Sequence, residues 1–267
     1  MRELPQRRVD ALGVETNFHH AGEAGAKPLL LLHGMSTSGD SFRELMYGLS
    51  DVYYLVAPDI PGFGLSENTE PYSLGHLIEW LASFIDQLDL NPLVLLGHSF
   101  GGILASAYTL SYPEDIRKLI LLSPALLVGQ KFPPLARRMG ESRAVTGAGI
   151  ALSRLMLERQ IRSQFHEPER MDESIWDRRR VDYSRARASA AAVSAVASVD
   201  LTPRLAEIDK PTLVVWGSDD PILAASHANQ LEEFISGVQI HLIDSCGHVP
   251  MIEKRDEMVK ISREFIQ

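Results

Sequence analysis

The chain has 267 residues, 45 % of them hydrophobic and 23 % charged, with a formal net charge of −9. That length suits one substantial core with an insertion rather than two independent folds, and the acidic balance argues against nucleic acid as a partner. No apolar run reaches the ~18 residues of a membrane span, and a single cysteine, Cys246, excludes an internal disulfide. The polar start Met1-Arg2-Glu3-Leu4-Pro5 lacks the apolar stretch of a secretory leader, so the cytoplasm is the expected location.

In chain order, Val9–Leu12 and Val14–His20 flank Gly13 and read as an opening antiparallel pair. Strand patterns follow at Leu29–Leu32, Tyr53–Ala57, Leu93–Leu96, Leu119–Leu122, Leu213–Trp216 and Val238–Ile243. Helical patterns lie between them, among them Leu74–Leu88 and Ala225–Ile235. Such alternation builds a mostly parallel sheet covered by helices.

The alternation breaks between residues 131 and 200, a stretch with helix formers and no strand signal. It holds 13 Lys and Arg against nine Asp and Glu, whereas the rest of the chain holds 13 against 26. A basic insertion on an acidic body binds the two together through ion pairs, and it also offers a way to steer an anionic substrate. In a helix, Arg178, Arg179 and Arg180 point about 100° apart, so at most one of them faces a given pocket.

The run Leu93-Val94-Leu95-Leu96-Gly97-His98-Ser99-Phe100-Gly101-Gly102 is an apolar strand entering G-x-S-x-G and then a helix. A serine nucleophile has to stand on a turn too tight for bulky neighbours, and Gly97 and Gly101 meet that demand. The helix that starts near Phe100 brings N–H groups and a positive dipole end beside the Ser99 oxygen. A serine hydroxyl also needs a base and a group to orient that base. Ser218-Asp219-Asp220-Pro221 follows one strand, and Asp244-Ser245-Cys246-Gly247-His248 follows the next. The order Ser, Asp, His on three strand ends points to nucleophilic hydrolysis, with Asp219 and Asp220 both open as the orienting acid.

These stretches, with Leu29-Leu30-Leu31-Leu32-His33-Gly34 and Asp59-Ile60-Pro61-Gly62-Phe63-Gly64-Leu65-Ser66, resemble the α/β-hydrolase superfamily over essentially the whole chain. The resemblance is to its capped serine-hydrolase branch, carboxylesterase-like and with similarity to meta-cleavage product hydrolases. It implies an eight-stranded, mostly parallel sheet with helices on both faces and a helical cap inserted after the sixth strand. Residues 1–130 and 201–267 would then form the core, and residues 131–200 the cap. It also implies Ser99 as nucleophile, His248 as base and Asp220, rather than Asp219, as orienting acid. The amides of Met35 and Phe100 would form the oxyanion hole, Gly34 giving the backbone room. Ser36, Thr37 and Ser38 offer further polar contacts in that loop.

The cap emerges where open α/β sheets bind ligands, so it should wall the Ser99 cleft. Phe132, Met139, Leu155, Met156 and Trp176 are the apolar candidates, with Val249 and Gly34 on the body. The expected activity is cleavage of small, largely apolar carboxylic esters through an acyl-enzyme. The alternative is carbon–carbon bond hydrolysis of meta-cleavage products, although that family usually has Asn where His98 stands and Trp where Val249 stands. A non-catalytic ligand-binding receptor on the same fold is the reading of a different class.

The partner is a small molecule, and no cofactor or metal is expected. The nine histidines show no metal-ligand spacing, and Gly62-Phe63-Gly64 lacks the third glycine and helix start of a dinucleotide site. His33 is expected to hold its loop by hydrogen bonding, His98 to pack beside the nucleophile, and Cys246 to be an inert filler.

Overall fold

The computed structural model describes residues 3–127 and 157–267. Eight strands of the described residues form one sheet in the order β1-β2-β4-β3-β5-β6-β7-β8. They are β1 (Gln6–Ala11), β2 (Val14–Ala21), β3 (Lys27–Leu32), β4 (Tyr53–Pro58), β5 (Leu93–His98), β6 (Ile116–Leu122), β7 (Thr212–Gly217) and β8 (Gln239–Ile243). The first two pair antiparallel and β2 runs antiparallel to β4, while β3 to β8 are mutually parallel. Every strand read from the sequence is present, with ends shifted by no more than a few residues.

Side chains alternate across the pleat, and here both faces are apolar. Leu30, Leu32, Leu95, Leu119, Leu121, Val214 and Trp216 enter one core, packed under α2 (Leu74–Gln87) and α3 (Phe100–Ser111). Leu29, Leu31, Val94, Leu96, Ile120, Leu122, Leu213 and Val215 enter the other. That second face is covered by α1 (Arg43–Leu49) and the C-terminal helix Arg255–Ile266. Continuous aliphatic runs such as Leu29–Leu32 are therefore what a sheet buried on both sides requires.

Between β6 and β7 the described chain is helical: α4 (Leu157–Arg162), α5 (Glu173–Arg185) and α6 (Ser189–Ala197). Asp172 caps α5 by accepting from Ser174 N–H at 2.8 Å. After β7 come α7 (Ser226–Phe234), the short α8 (Pro250–Glu253) and α9 (Arg255–Ile266). The three consecutive arginines of α5 diverge as helical spacing demands. Arg178 reaches the body at Asp40 (3.2 Å) and Glu44 (2.7 Å), and Arg180 pairs with Glu158, Glu173 and Asp177 among the inserted helices. Arg179 turns inward, 2 % exposed. Among the described cations of the insertion, Arg162, Arg170, Arg178 and Arg180 are engaged in ion pairs.

No helix among the described residues is long and apolar enough to cross a membrane.

Candidate active site

Ser99 sits between β5 and α3 with φ 51° and ψ −111°, a left-handed conformation that non-glycine residues rarely adopt. Hydrogen bonds over-determine it. Ser99 N–H donates to Leu122 O at 2.9 Å, and its carbonyl accepts from Gly102 N–H at 3.0 Å and Ala125 N–H at 3.1 Å. The flanking glycines are sterically required, since a Cβ on Gly97 would lie 2.4 Å from Gly101 O, and one on Gly101 would lie 2.2 Å from Leu32 O.

His248 follows β8 and donates from Nδ1 to Asp220 Oδ2 at 2.7 Å, both side chains being buried. The other carboxylate oxygen, Oδ1, accepts from Ile222 and Leu223 N–H at 2.9 Å each. Three donors therefore fix Asp220, and with Nδ1 as donor the His248 tautomer leaves Nε2 with a free lone pair. Asp219 is elsewhere. Its Oδ2 accepts from Ser218 Oγ at 2.5 Å and stands 3.9 Å from His166 Nδ1. The His248 main chain is clamped on both sides, because its N–H donates to Gln164 O at 2.7 Å and its carbonyl accepts from His98 Nε2–H at 2.8 Å.

His98 stacks obliquely on His248, with ring centroids 4.9 Å apart. Burial first, and then the neighbouring His248, hold its pKa well below the usual histidine value, so the ring is neutral. Its Nδ1 faces Gly34, where a Cβ would come within 2.8 Å of that nitrogen and 3.3 Å of Ser99 Cβ. The lack of a side chain at Gly34 thus lets the β3 loop lie close against His98 and the Ser99 turn.

The same loop is held by His33, as its position in the sequence suggested. Ile60 N–H donates to His33 Nε2 at 2.9 Å, so Nδ1 carries the ring proton and bonds Gly34 O at 2.7 Å. Thr37 Oγ1 donates to the same carbonyl at 2.8 Å. Burial pulls the His33 pKa down to about 4, which keeps this neutral donor–acceptor arrangement. The amides of Met35 and Phe100 meet no protein acceptor among the described residues. Met35 lines the cleft, and the Phe100 amide lies in the first turn of α3 while its ring is buried against Phe63.

A cleft of about 170 Å³ joins these groups. Gly34, Met35, Ser36, Thr37, His98, Ser99 and His248 line it from the body, together with Ile222. Gln160, Gln164 and Tyr183 line it from the inserted helices. Eight of these eleven described lining residues carry a polar side chain, set among apolar surface from Met35 and Ile222. Trp176 does not reach the cleft. Its ring packs edge-on to Phe165 at 4.9 Å and lies under the Arg162 guanidinium, cementing the inserted helices to one another. Val249 is likewise fully buried, in the core beneath α8. Phe132, Met139, Leu155 and Met156 lie outside the described residues.

Gln164 and Tyr183 were not legible as cleft residues, because each only looks like one polar position in a helical stretch. A second cavity, about 280 Å³, opens between α5 and the body among Asp40, Asp59, Arg178 and Asp182, and neither Ser99 nor His248 lines it. Among the described residues no three His, Cys, Asp or Glu are grouped to hold a metal ion.

A family model for the alpha/beta hydrolase fold matches residues 27–255. The chain is 28 % identical to a 2-hydroxy-6-oxo-2,4-heptadienoate hydrolase of Pseudomonas putida, covering 97 % of this chain and 95 % of that protein. It is 29 % identical to the monoacylglycerol lipase ABHD6 of Bos taurus, over 93 % of this chain and 78 % of that one. Among solved structures, a thermophilic esterase from Thermogutta terrifontis superposes with a TM-score of 0.85 at 23 % identity, over 98 % of both chains.

Proposed function

Because the chain belongs to the alpha/beta hydrolase fold family, we propose that it is a serine hydrolase that cleaves small carboxylic esters through an acyl-enzyme. The observation that carries this reading is the 2.7 Å bond from His248 Nδ1 to Asp220, in a cleft shared with Ser99 on its strained turn. With Nδ1 engaged, Nε2 of His248 is the lone pair available to take the Ser99 proton as Oγ attacks the carbonyl carbon. The amides of Met35 and Phe100, free of protein acceptors, receive the oxyanion. The imidazolium then protonates the leaving alcohol, and water repeats the sequence on the acyl-enzyme. The inserted helices act as the cap, excluding bulk water from the carbonyl and so strengthening each donor.

Carbon–carbon bond hydrolysis of meta-cleavage products is the second reading, favoured by the likeness to the Pseudomonas putida dienoate hydrolase over nearly the whole of both chains. Residue choice within this cleft favours esters, since a neutral His98 stands beside the nucleophile where that family usually has Asn. Steady-state turnover of p-nitrophenyl acetate and butyrate, set beside one meta-cleavage dienoic acid, tests the choice. Ester turnover with an inert dienoate supports the proposal, and the reverse result replaces it with the second reading.

A further inference from the structure

Arg179 is a nearly fully buried guanidinium with no ion-pair partner among the described residues. Its Nη2–H donates to Gln164 Oε1 at 2.5 Å and its Nη1–H to Ser41 Oγ at 3.4 Å, while Nε meets no partner. A guanidinium has donors only, so Gln164 must turn its oxygen towards Arg179. That orientation sends the amide Nε2–H outward, and it is hydrogen-bonded to Tyr183 Oη. A phenol oxygen that accepts from an amide has its own hydrogen still to give. Both Gln164 and Tyr183 line the cleft of Ser99 and His248.

Apart from that of Ser99, the other hydroxyls of the cleft wall are engaged. Ser36 Oγ is bonded to Ser189 Oγ at 2.9 Å, and Thr37 Oγ1 donates to Gly34 O. Gln160 is exposed at the rim. The Tyr183 hydrogen has no acceptor among the described residues. Burial pushes the phenol above its ordinary pKa, so the group remains a donor across the working range.

We infer that Tyr183 is a substrate-binding donor for a second oxygen of the substrate, one beyond the scissile carbonyl. The relay Arg179 to Gln164 to Tyr183 fixes the direction of that hydrogen and polarises it, because aligned bonds starting from a cation reinforce one another. The substrate class is therefore an ester carrying a further acceptor oxygen, as an ether or a carboxylate, rather than a plain alkyl ester. The inference rests on the serine-hydrolase reading and adds to it the chemistry of the substrate.

The test compares p-nitrophenyl hexanoate with its isostere p-nitrophenyl 4-methoxybutanoate and with the p-nitrophenyl half-ester of glutaric acid. Each is measured on the wild type, on Tyr183→Phe and on Gln164→Glu. The first variant deletes the hydroxyl. The second introduces a carboxylate that can pair with Arg179 and accept the Tyr183 hydrogen, reversing the relay without removing an atom from the ring. Intrinsic ester reactivity is common to all three proteins and cancels in the ratio of oxygenated to alkyl kcat/KM. We expect that ratio to fall roughly five- to thirtyfold in both variants, mainly through KM, as loss of one substrate hydrogen bond requires. A fall for the methoxy ester identifies a neutral acceptor, and a fall confined to the half-ester identifies a carboxylate. Equal ratios in all three proteins would overturn the inference while leaving the hydrolase reading intact. A folded wild type that turns over none of the three esters would instead remove the hydrolase reading, and this inference with it. Because Gln164→Glu supplies the buried cation with a partner, it stays informative even where Tyr183→Phe fails to fold.

Discussion

Asp220 accepts from His248 Nδ1 at 2.7 Å, whereas Asp219, its immediate neighbour, accepts from Ser218 and faces His166. Two adjacent carboxylates at the end of one strand therefore have different chemistry available to them. Asp220→Asn is expected to lower kcat by on the order of 10³–10⁴, because an amide favours the wrong imidazole tautomer. Asp219→Asn should cost less than about tenfold, since it leaves the Nδ1 partner in place. Steady-state kinetics on p-nitrophenyl butyrate separate them. Exchanged outcomes would show that the other aspartate orients the base.

Gly34→Ala places a methyl 2.8 Å from His98 Nδ1 and 3.3 Å from Ser99 Cβ, so the Ser99 turn and the β3 loop must move apart. The strain should cost about 1–3 kcal/mol of stability, which a stable domain survives. Activity should suffer more, on the order of 10²-fold in kcat/KM, because displacement by a fraction of an ångström spoils the alignment of attack. Denaturant titration and esterase assays on one preparation check the difference. A variant as active as the wild type would contradict the tight approach.

Much of this arrangement could be read from the sequence, and the reason is steric and local. The strand-to-helix turn at Ser99 requires Gly97 and Gly101, and the aliphatic runs of β3, β5 and β6 declare a sheet buried on both faces. His33 could be placed because a ring next to Gly34 has few other partners. The rest depends on contacts distant in sequence. Gln164 meets His248, 84 positions later in the chain, through a main-chain carbonyl that carries no residue signature. Trp176 looked like a pocket wall because apolar size says nothing about which neighbour covers it, and Phe165 and Arg162 do so.

Asp182 on α5 accepts from Ser38 Oγ at 2.6 Å, tying the inserted helices to the loop that follows Met35. Burial raises its carboxyl from 3.8 to about 7. The folded state then binds the proton more tightly than the unfolded chain does. The stability so gained is complete below about pH 4 and is lost as pH rises towards 7. Asp182→Asn keeps an acceptor for Ser38 and removes the titration. Its stability relative to wild type should therefore climb across that window, measured as the difference in unfolding free energy between pH 4 and pH 7. A constant difference would show that Asp182 does not titrate there.

Cys246 is fully buried, and burial pushes its thiol well above the ordinary cysteine range. Thiolate rather than thiol is the reactive form. The folded protein should resist iodoacetamide at pH 8 and be alkylated once unfolded in guanidinium, as read by intact mass. Rapid alkylation of the folded chain would contradict the inert role assigned to it.

The central claim is that Ser99 is the nucleophile, and covalent capture tests it most directly. A fluorophosphonate probe should add one adduct per chain, mapped to Ser99 by peptide mass, with esterase activity lost in step with labelling. Ser99→Ala should take no label and lose roughly 10⁴–10⁶ in kcat, retaining only oxyanion and binding contributions. Labelling of another residue, or more than about a tenth of wild-type activity in clean Ser99→Ala protein, where loss of the nucleophile should leave orders of magnitude less, would contradict the account.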